Sequence, residues 1–151
     1  MLSALLFALA QAAAPSPVES AAIFRAAGAT RRGNGWILCA EDPTNPRATI
    51  AEFRDLNGDG RPEALVTEDG TFCNGHAGTG YALLSKQANG SWRVMTGGSG
   101  IAEFLPSKGA GGWPDISIGG PGFCFPVERW NGREYAFNRH QYEGKACRPP
   151  R

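Results

Sequence analysis

Asp55-Leu56-Asn57-Gly58-Asp59-Gly60-Arg61-Pro62-Glu63-Ala64-Leu65-Val66 decides how this chain is read, because a polar turn runs into an apolar β-like segment with no helix between them. Side chains bearing oxygen stand at the first, third, fifth and ninth positions, and glycine stands at the sixth. A hard cation that wants about six to eight oxygens is served by this order. Alternate side chains point inward, glycine permits the sharp turn, and the carbonyl of the seventh residue adds a ligand. Asp55, Asn57, Asp59 and Glu63 are the candidate side-chain ligands for one calcium ion. Arg61 is the candidate carbonyl donor, with its side chain expected to point away. Magnesium keeps its waters and demands octahedral geometry, and zinc lacks His or Cys at ligand spacing. The twelfth position is Val66, not the bidentate Glu of an EF-hand. The plainer reading of the same residues is an Asx-rich turn that caps a strand without metal.

Outward from this segment, short apolar runs alternate with turn residues. They predict strands at Trp36 to Ala40, Thr49 to Arg54, Glu63 to Glu68, Gly80 to Lys86, Trp92 to Thr96, Asp115 to Ile118, Phe123 to Trp130 and Glu134 to Gln141. Asn89-Gly90 and Asn131-Gly132 predict hairpins with type I′ turns, in which both residues take positive φ. Pro62-Glu63-Ala64-Leu65-Val66 is echoed by Pro114-Asp115-Ile116-Ser117-Ile118, so two three-stranded meanders are one reading and chance is the other. The Gly-rich tract from Gly97 to Gly112 lies between them and is expected as an ordered loop or short strand. Only Val18 to Gly28 has helical character, with Ala21, Ile23, Phe24 and Ala27 on one face, Ser16 or Ser20 as cap and Gly28 as stop. The expected fold is mainly β: one small antiparallel sheet domain over residues 15–151 with a short N-terminal helix, α+β being the alternative.

The chain has 151 residues, with 15 Lys and Arg against 14 Asp and Glu, a balance that predicts no nucleic-acid surface. Arg31-Arg32 by itself is too small to be one. No apolar run is long enough to span a membrane once the N-terminus is set aside. Leu2 to Ala10 resembles the apolar core of a signal peptide, so residues 1–14 are read as one, cut after Ala10 or Ala12. A periplasmic or secreted location follows. Cys39, Cys73, Cys124 and Cys147 then read as two disulfides. Three connectivities are possible. Cys39 with Cys73 and Cys124 with Cys147 is preferred, since each closes a loop of moderate length.

Other motifs carry less. Gly97-Gly98-Ser99-Gly100-Ile101 lacks the final Gly of a nucleophile elbow. His76 and His140 have no local nucleophile or acid, and Asp115 and Glu63 make a paired-carboxylate hydrolase only imaginable. The many aromatics are expected mostly in the core. Gly75-His76-Ala77-Gly78-Thr79-Gly80-Tyr81 is the candidate partner-binding loop, with glycines for reach and His76, Thr79 and Tyr81 as contacts.

The DxNxDGxxE turn running into a strand resembles the calcium loop of FG-GAP or VCBS-type repeats. That resemblance covers about 9 to 15 residues and implies the calcium ligands named above, in an extracellular β-structure. The chain is too short for a propeller. The DLNGDGRPE order, the Asn-Gly-x-Trp hairpin and the late Trp-Asn-Gly also look like small exported bacterial proteins, which implies a compartment and no activity. The expected function is a non-enzymatic binding or structural module with one structural calcium loop, its partner an extracytoplasmic protein or glycan. The alternative is an inhibitor of a cell-wall hydrolase such as lysozyme.

Overall fold

The computed structural model describes residues 13–151. The expected signal segment and its cleavage points at Ala10 and Ala12 lie outside the described residues. Helix α1 spans Pro17–Ala26. The Oγ of Ser16 caps it by accepting the Glu19 N–H at 3.1 Å, and Pro17 sits where a missing N–H costs nothing. Among the described residues eleven strands follow: β1 (Thr30–Arg32), β2 (Gly35–Ile37), β3 (Ala48–Arg54), β4 (Glu63–Asp69), then, beyond the short helix α2 (Thr71–Asn74), β5 (Thr79–Lys86), β6 (Trp92–Ser99), β7 (Ile101–Lys108), β8 (Pro114–Gly119), β9 (Phe125–Trp130), β10 (Tyr135–Tyr142) and β11 (Lys145–Ala146). The fold is mainly β and antiparallel, as expected.

Strands β3-β4-β5-β6 form one sheet, β7-β8-β9-β10-β11 a second, and β1-β2 a separate hairpin. The two meanders of the sequence echo are therefore real, and each gains an edge strand at its start. Every pairing among the described residues is antiparallel between sequential neighbours. The chain crosses from the first sheet to the second at Gly100, between β6 and β7, where φ is +132°. A Cβ there would lie 2.5 Å from Ile118 Cγ2, so only glycine fits the corner. The Gly97–Gly112 tract is thus mostly strand. Its glycines lower β propensity and hid it.

The first sheet is the middle layer. Side chains alternate across a strand. Ala64, Val66, Ala82 and Leu84 pack with Ile23 and Phe24 of α1, while Leu65 and Leu83 pack with Trp113, Ile116, Trp130 and Tyr135 of the second sheet. Trp113, Trp130 and Tyr135 form a mutual aromatic cluster with centroids 5.4 to 6.3 Å apart. The core reading of the aromatics holds for these, whereas Phe72, Phe123 and Phe137 are exposed.

Both Asn-Gly hairpins form, with a different turn from the one expected. Gly90 and Gly132 take positive φ but Asn89 and Asn131 do not. Asn89 Oδ1 accepts the Ser91 N–H at 3.0 Å, and Asn131 Oδ1 accepts the N–H groups of Arg133 and Glu134, each at 2.9 Å. The asparagine side chain replaces a backbone acceptor, so the loop is longer than two residues.

The disulfides are Cys39–Cys73 and Cys124–Cys147, with sequence separations of 34 and 23. The first ties the segment after β2 to α2, and the second ties the entry to β9 to the strand end after β11. Replacing either pair with alanines is expected to lower unfolding free energy by roughly 3 to 4 kcal/mol, through the freed unfolded chain. Urea unfolding of each double variant checks this. A midpoint unchanged from the parent would contradict it.

Candidate functional site

The turn between β3 and β4 is built from its own side chains. Asp55 Oδ1 accepts the Gly58 N–H and Oδ2 the Gly60 N–H, both at 2.8 Å. Asn57 Oδ1 accepts the Asp59 N–H at 3.1 Å, and Asp59 Oδ1 accepts the Arg61 N–H at 2.8 Å. Gly58 and Gly60, at φ +79° and +85°, let the chain coil around Asp55. Asp55 and Asp59 are exposed and Asn57 is half-buried. Arg61 does not point away as expected. Its Nη2 lies 2.9 Å from Asp59 Oδ2, and its Nε donates to the Lys86 carbonyl at 3.1 Å. The guanidinium, an unused cation four bonds from the backbone, folds back onto the nearest carboxylate.

Glu63 stands apart from the other three. It is 1% exposed, with Oε2 accepting the Leu56 N–H at 2.7 Å and Oε1 accepting the Ser85 hydroxyl at 2.8 Å. Since Leu65 faces the second sheet, so does Glu63, two residues earlier. It clamps the start of the turn to β5. Burial pushes its carboxyl up, with the charges of Asp59 and Asp55 adding to the rise against the bonds from Leu56 and Ser85. For Asp55, slight burial pushes up, but the N–H groups of Gly60, Gly58, Asp59 and Asn57 together hold the carboxyl below its ordinary value. The donors at the surface are hard oxygens, which suit calcium. The only three acidic, His or Cys ligand atoms within 4.8 Å of one another among the described residues belong to Cys39, Glu41 and Cys73, whose sulfurs are joined in a disulfide.

The echo position, Asp115, stands second in β8, as Glu63 stands first in β4. It is fully buried, and its carboxylate accepts from Ser107 Oγ at 2.6 Å, from Arg129 Nε and Nη2 at 2.9 and 2.8 Å, and from Arg139 Nη1 at 2.9 Å. Burial pushes its carboxyl up, yet the bonds from Arg129, Ser107 and Arg139 win and hold it well below the carboxylate range. Glu63 and Asp115 have separate hydrogen-bond partners. This cluster was missed in the sequence because Arg129 and Arg139 come from different strands; the echo alone pointed to Asp115.

The candidate partner loop is divided by the structure. His76 is exposed on a single 3₁₀ turn, and Thr79 is half-buried with its hydroxyl donating to the Glu68 carbonyl at 3.3 Å. Tyr81 is a core residue, 7% exposed, and burial pushes its phenol up to about 12. It is withdrawn as a partner contact, since strand alternation puts Tyr81 on the same face as Leu83, packed between the two sheets. A cleft of about 480 Å³ opens beside this loop, lined by Leu65, Thr67, Asp69, Thr79, Ile101 and Ala102. No helix among the described residues is long and apolar enough to cross a membrane.

In comparisons with protein-family models, with curated proteins and with solved structures, nothing matches this chain.

Asp115 makes a signed prediction. A carboxyl whose folded value is depressed adds stability that is whole above its unfolded value, 3.8, and is lost as pH falls below it. Glu63, raised from 4.5, acts in the opposite sense, its contribution falling as pH rises through the region above 4.5. Asp115→Asn is expected to cost about 3 kcal/mol at pH 7, the low end for a buried pair because both arginines keep access to water. Urea melts between neutral pH and the acid range check it. The variant should lose less stability on acidification than the parent.

Proposed function

We propose that the chain is an exported, non-enzymatic binding or structural module whose turn at residues 55–63 takes up one calcium ion as a structural element. What supports this reading is the gathering of the Asp55, Asn57 and Asp59 side-chain oxygens by consecutive backbone N–H groups at an exposed turn. Asp55, Asn57, Asp59 and the Arg61 carbonyl are the residues that hold the ion. Glu63 acts from behind, fixing Leu56 and the foot of the turn. Two disulfides and the apolar start of the chain support an oxidising, extracytoplasmic location.

Calcium titration by calorimetry on the oxidised domain is expected to give a dissociation constant of about 0.1 to 1 mM, in the range of extracellular modules. At ten to a hundred times that concentration, stability should rise by about 1 to 3 kcal/mol. Asp55→Ala and Asp59→Ala should each abolish the heat and the added stability while leaving the metal-free fold intact. Neither heat nor stabilisation at 10 mM calcium (roughly ten times the upper constant) would reduce the turn to a strand cap.

A second reading, inhibition of a cell-wall hydrolase by an inserted loop, is favoured by the connection from β4 to β5. It is pinned by Cys73 to Cys39, closed by Gly70 N–H donating to the Gly78 carbonyl at 2.9 Å, and braced by Asn74 Nδ2 donating to the Gly70 carbonyl at 3.2 Å. The rigid loop presents His76 and Phe72, the latter 60% exposed. Assay of a muramidase with the parent, His76→Ala and Phe72→Ala tests it. Equal enzyme rates with and without micromolar protein would remove this reading.

A further inference from the structure

The near-neutral net charge hides an uneven distribution. Arg25, Arg31, Arg32 and Arg47 are all exposed around the β1-β2 hairpin, and among the described residues none of them pairs with a carboxylate, whereas Arg54, Arg61, Arg129 and Arg139 do. Their hydrogen bonds go to neutral acceptors instead. Arg32 Nη1 donates to Asn45 Oδ1 at 2.8 Å and Nη2 to the Ala40 carbonyl at 3.4 Å; Arg47 Nη2 donates to Asn34 Oδ1 at 2.7 Å. These bonds orient the two guanidiniums without neutralising them. The nearby Asp42 carboxylate is engaged by the N–H and hydroxyl of Thr44.

Arg32 and Arg47 share one face of the hairpin. Arg32 pairs with Gly35 across the strands, so the two residues point the same way. A Cβ on Gly35 would lie 3.0 Å from Arg47 Nη1, which places the Arg47 guanidinium flat over that same face. Between them is a pocket of about 100 Å³ lined by Arg32, Gly35, Trp36, Ile37, Asn45 and Arg47. Arg31 pairs with Trp36 on the opposite face, where Arg31 and Arg25 lie 5.6 and 5.5 Å from the indole and add to the positive potential.

We propose that this pocket is an oxyanion site that holds the phosphate group of a phosphorylated ligand between Arg32 and Arg47. Each guanidinium has five N–H donors, of which Arg32 has engaged two and Arg47 one. The free donors form forks that match an anion with several acceptor oxygens. The volume admits a group the size of a few waters, so the pocket grips the phosphate and leaves the rest of the ligand outside. The site is distinct from the calcium turn, and the distribution of charge, invisible in the balance of 15 basic and 14 acidic residues, is what creates it.

The test titrates inorganic phosphate into the oxidised domain in chelator-containing, calcium-free buffer, following backbone amide shifts of Gly35, Trp36 and Arg47 by NMR. A second arm measures sedimentation with phosphatidylglycerol vesicles against phosphatidylcholine vesicles, which separates free phosphate from a lipid headgroup. Saturable shifts are expected. Arg32→Gln and Arg47→Gln should each weaken binding by roughly tenfold, about 1.4 kcal/mol, and Arg133→Gln should leave it unchanged. Gly35→Ala supplies a variant that removes no charge: its backbone does not need glycine, but the added methyl displaces Arg47, so binding should fall while the fold and net charge stay. Binding in the vesicle arm alone, lost in the same variants, assigns the phosphate to a lipid. No saturable binding in either arm, or the same affinity in the parent and in Gly35→Ala and Arg47→Gln, would overturn the proposal.

Discussion

Strands β4 and β5 are buried on both faces, and the remaining layers are arranged around that fact. A sheet whose central strands carry Ala64, Leu65 and Val66 beside Ala82, Leu83 and Leu84 has no face to offer to water. Helix α1 and the β1-β2 hairpin cover one side, and the second sheet covers the other. Buried apolar area of this kind supplies the main driving force for a domain this small. It also forces the polar turns to the sheet ends, where the residues with chemical potential are found.

Buried carboxylates close those ends. Glu63 and Asp115 lie at the start of the second strand of each sheet, Asp115 one residue in, and each is satisfied by a different strategy. Glu63 takes a backbone N–H and a serine hydroxyl, so it fastens a turn, while Asp115 takes two arginines and a serine, so it fastens three strands. An unpaired charge in either place would cost several kcal/mol, which explains why no polar side-chain atom buried among the described residues is left without a partner. The direction of the two carboxyls follows from the partners: one N–H and one hydroxyl do not offset the burial of Glu63, whereas two guanidiniums with a hydroxyl offset that of Asp115.

Much of the fold was legible along the chain. Apolar runs bounded by Gly, Asn and Pro located most strands, Ser16 and Gly28 bracketed α1, and moderate loop length favoured the observed disulfide pairs. The strands that escaped were those whose residues contradict their state: β6 beyond Thr96 carries Gly97 and Gly98, β7 carries Pro106 and is flanked by Gly100 and Gly109, and β1 and β11 are short exposed runs held only by their partners. The turn at 55–63 was legible as a set of oxygen donors. Which of them face solvent was not, because Glu63 owes its burial to Leu65 and Ser85, and Ser85 is a residue 22 positions away. Tyr81 was misassigned for a related reason, since a residue beside a loop in sequence is two strands deep in space.

The sequence by itself determined the antiparallel β class, the helix with its cap, the turn positions and the oxygen-rich loop, because each of these depends on residues within a few positions of one another. The tertiary structure alone decided that the two meanders stack face to face, that Asp115 meets Arg129 and Arg139, and that Arg32 and Arg47 flank one pocket over Gly35. Those relations depend on which strand lies next to which and on which face each side chain takes. A contact between residues far apart in the chain becomes definite only when burial of a common core has fixed both.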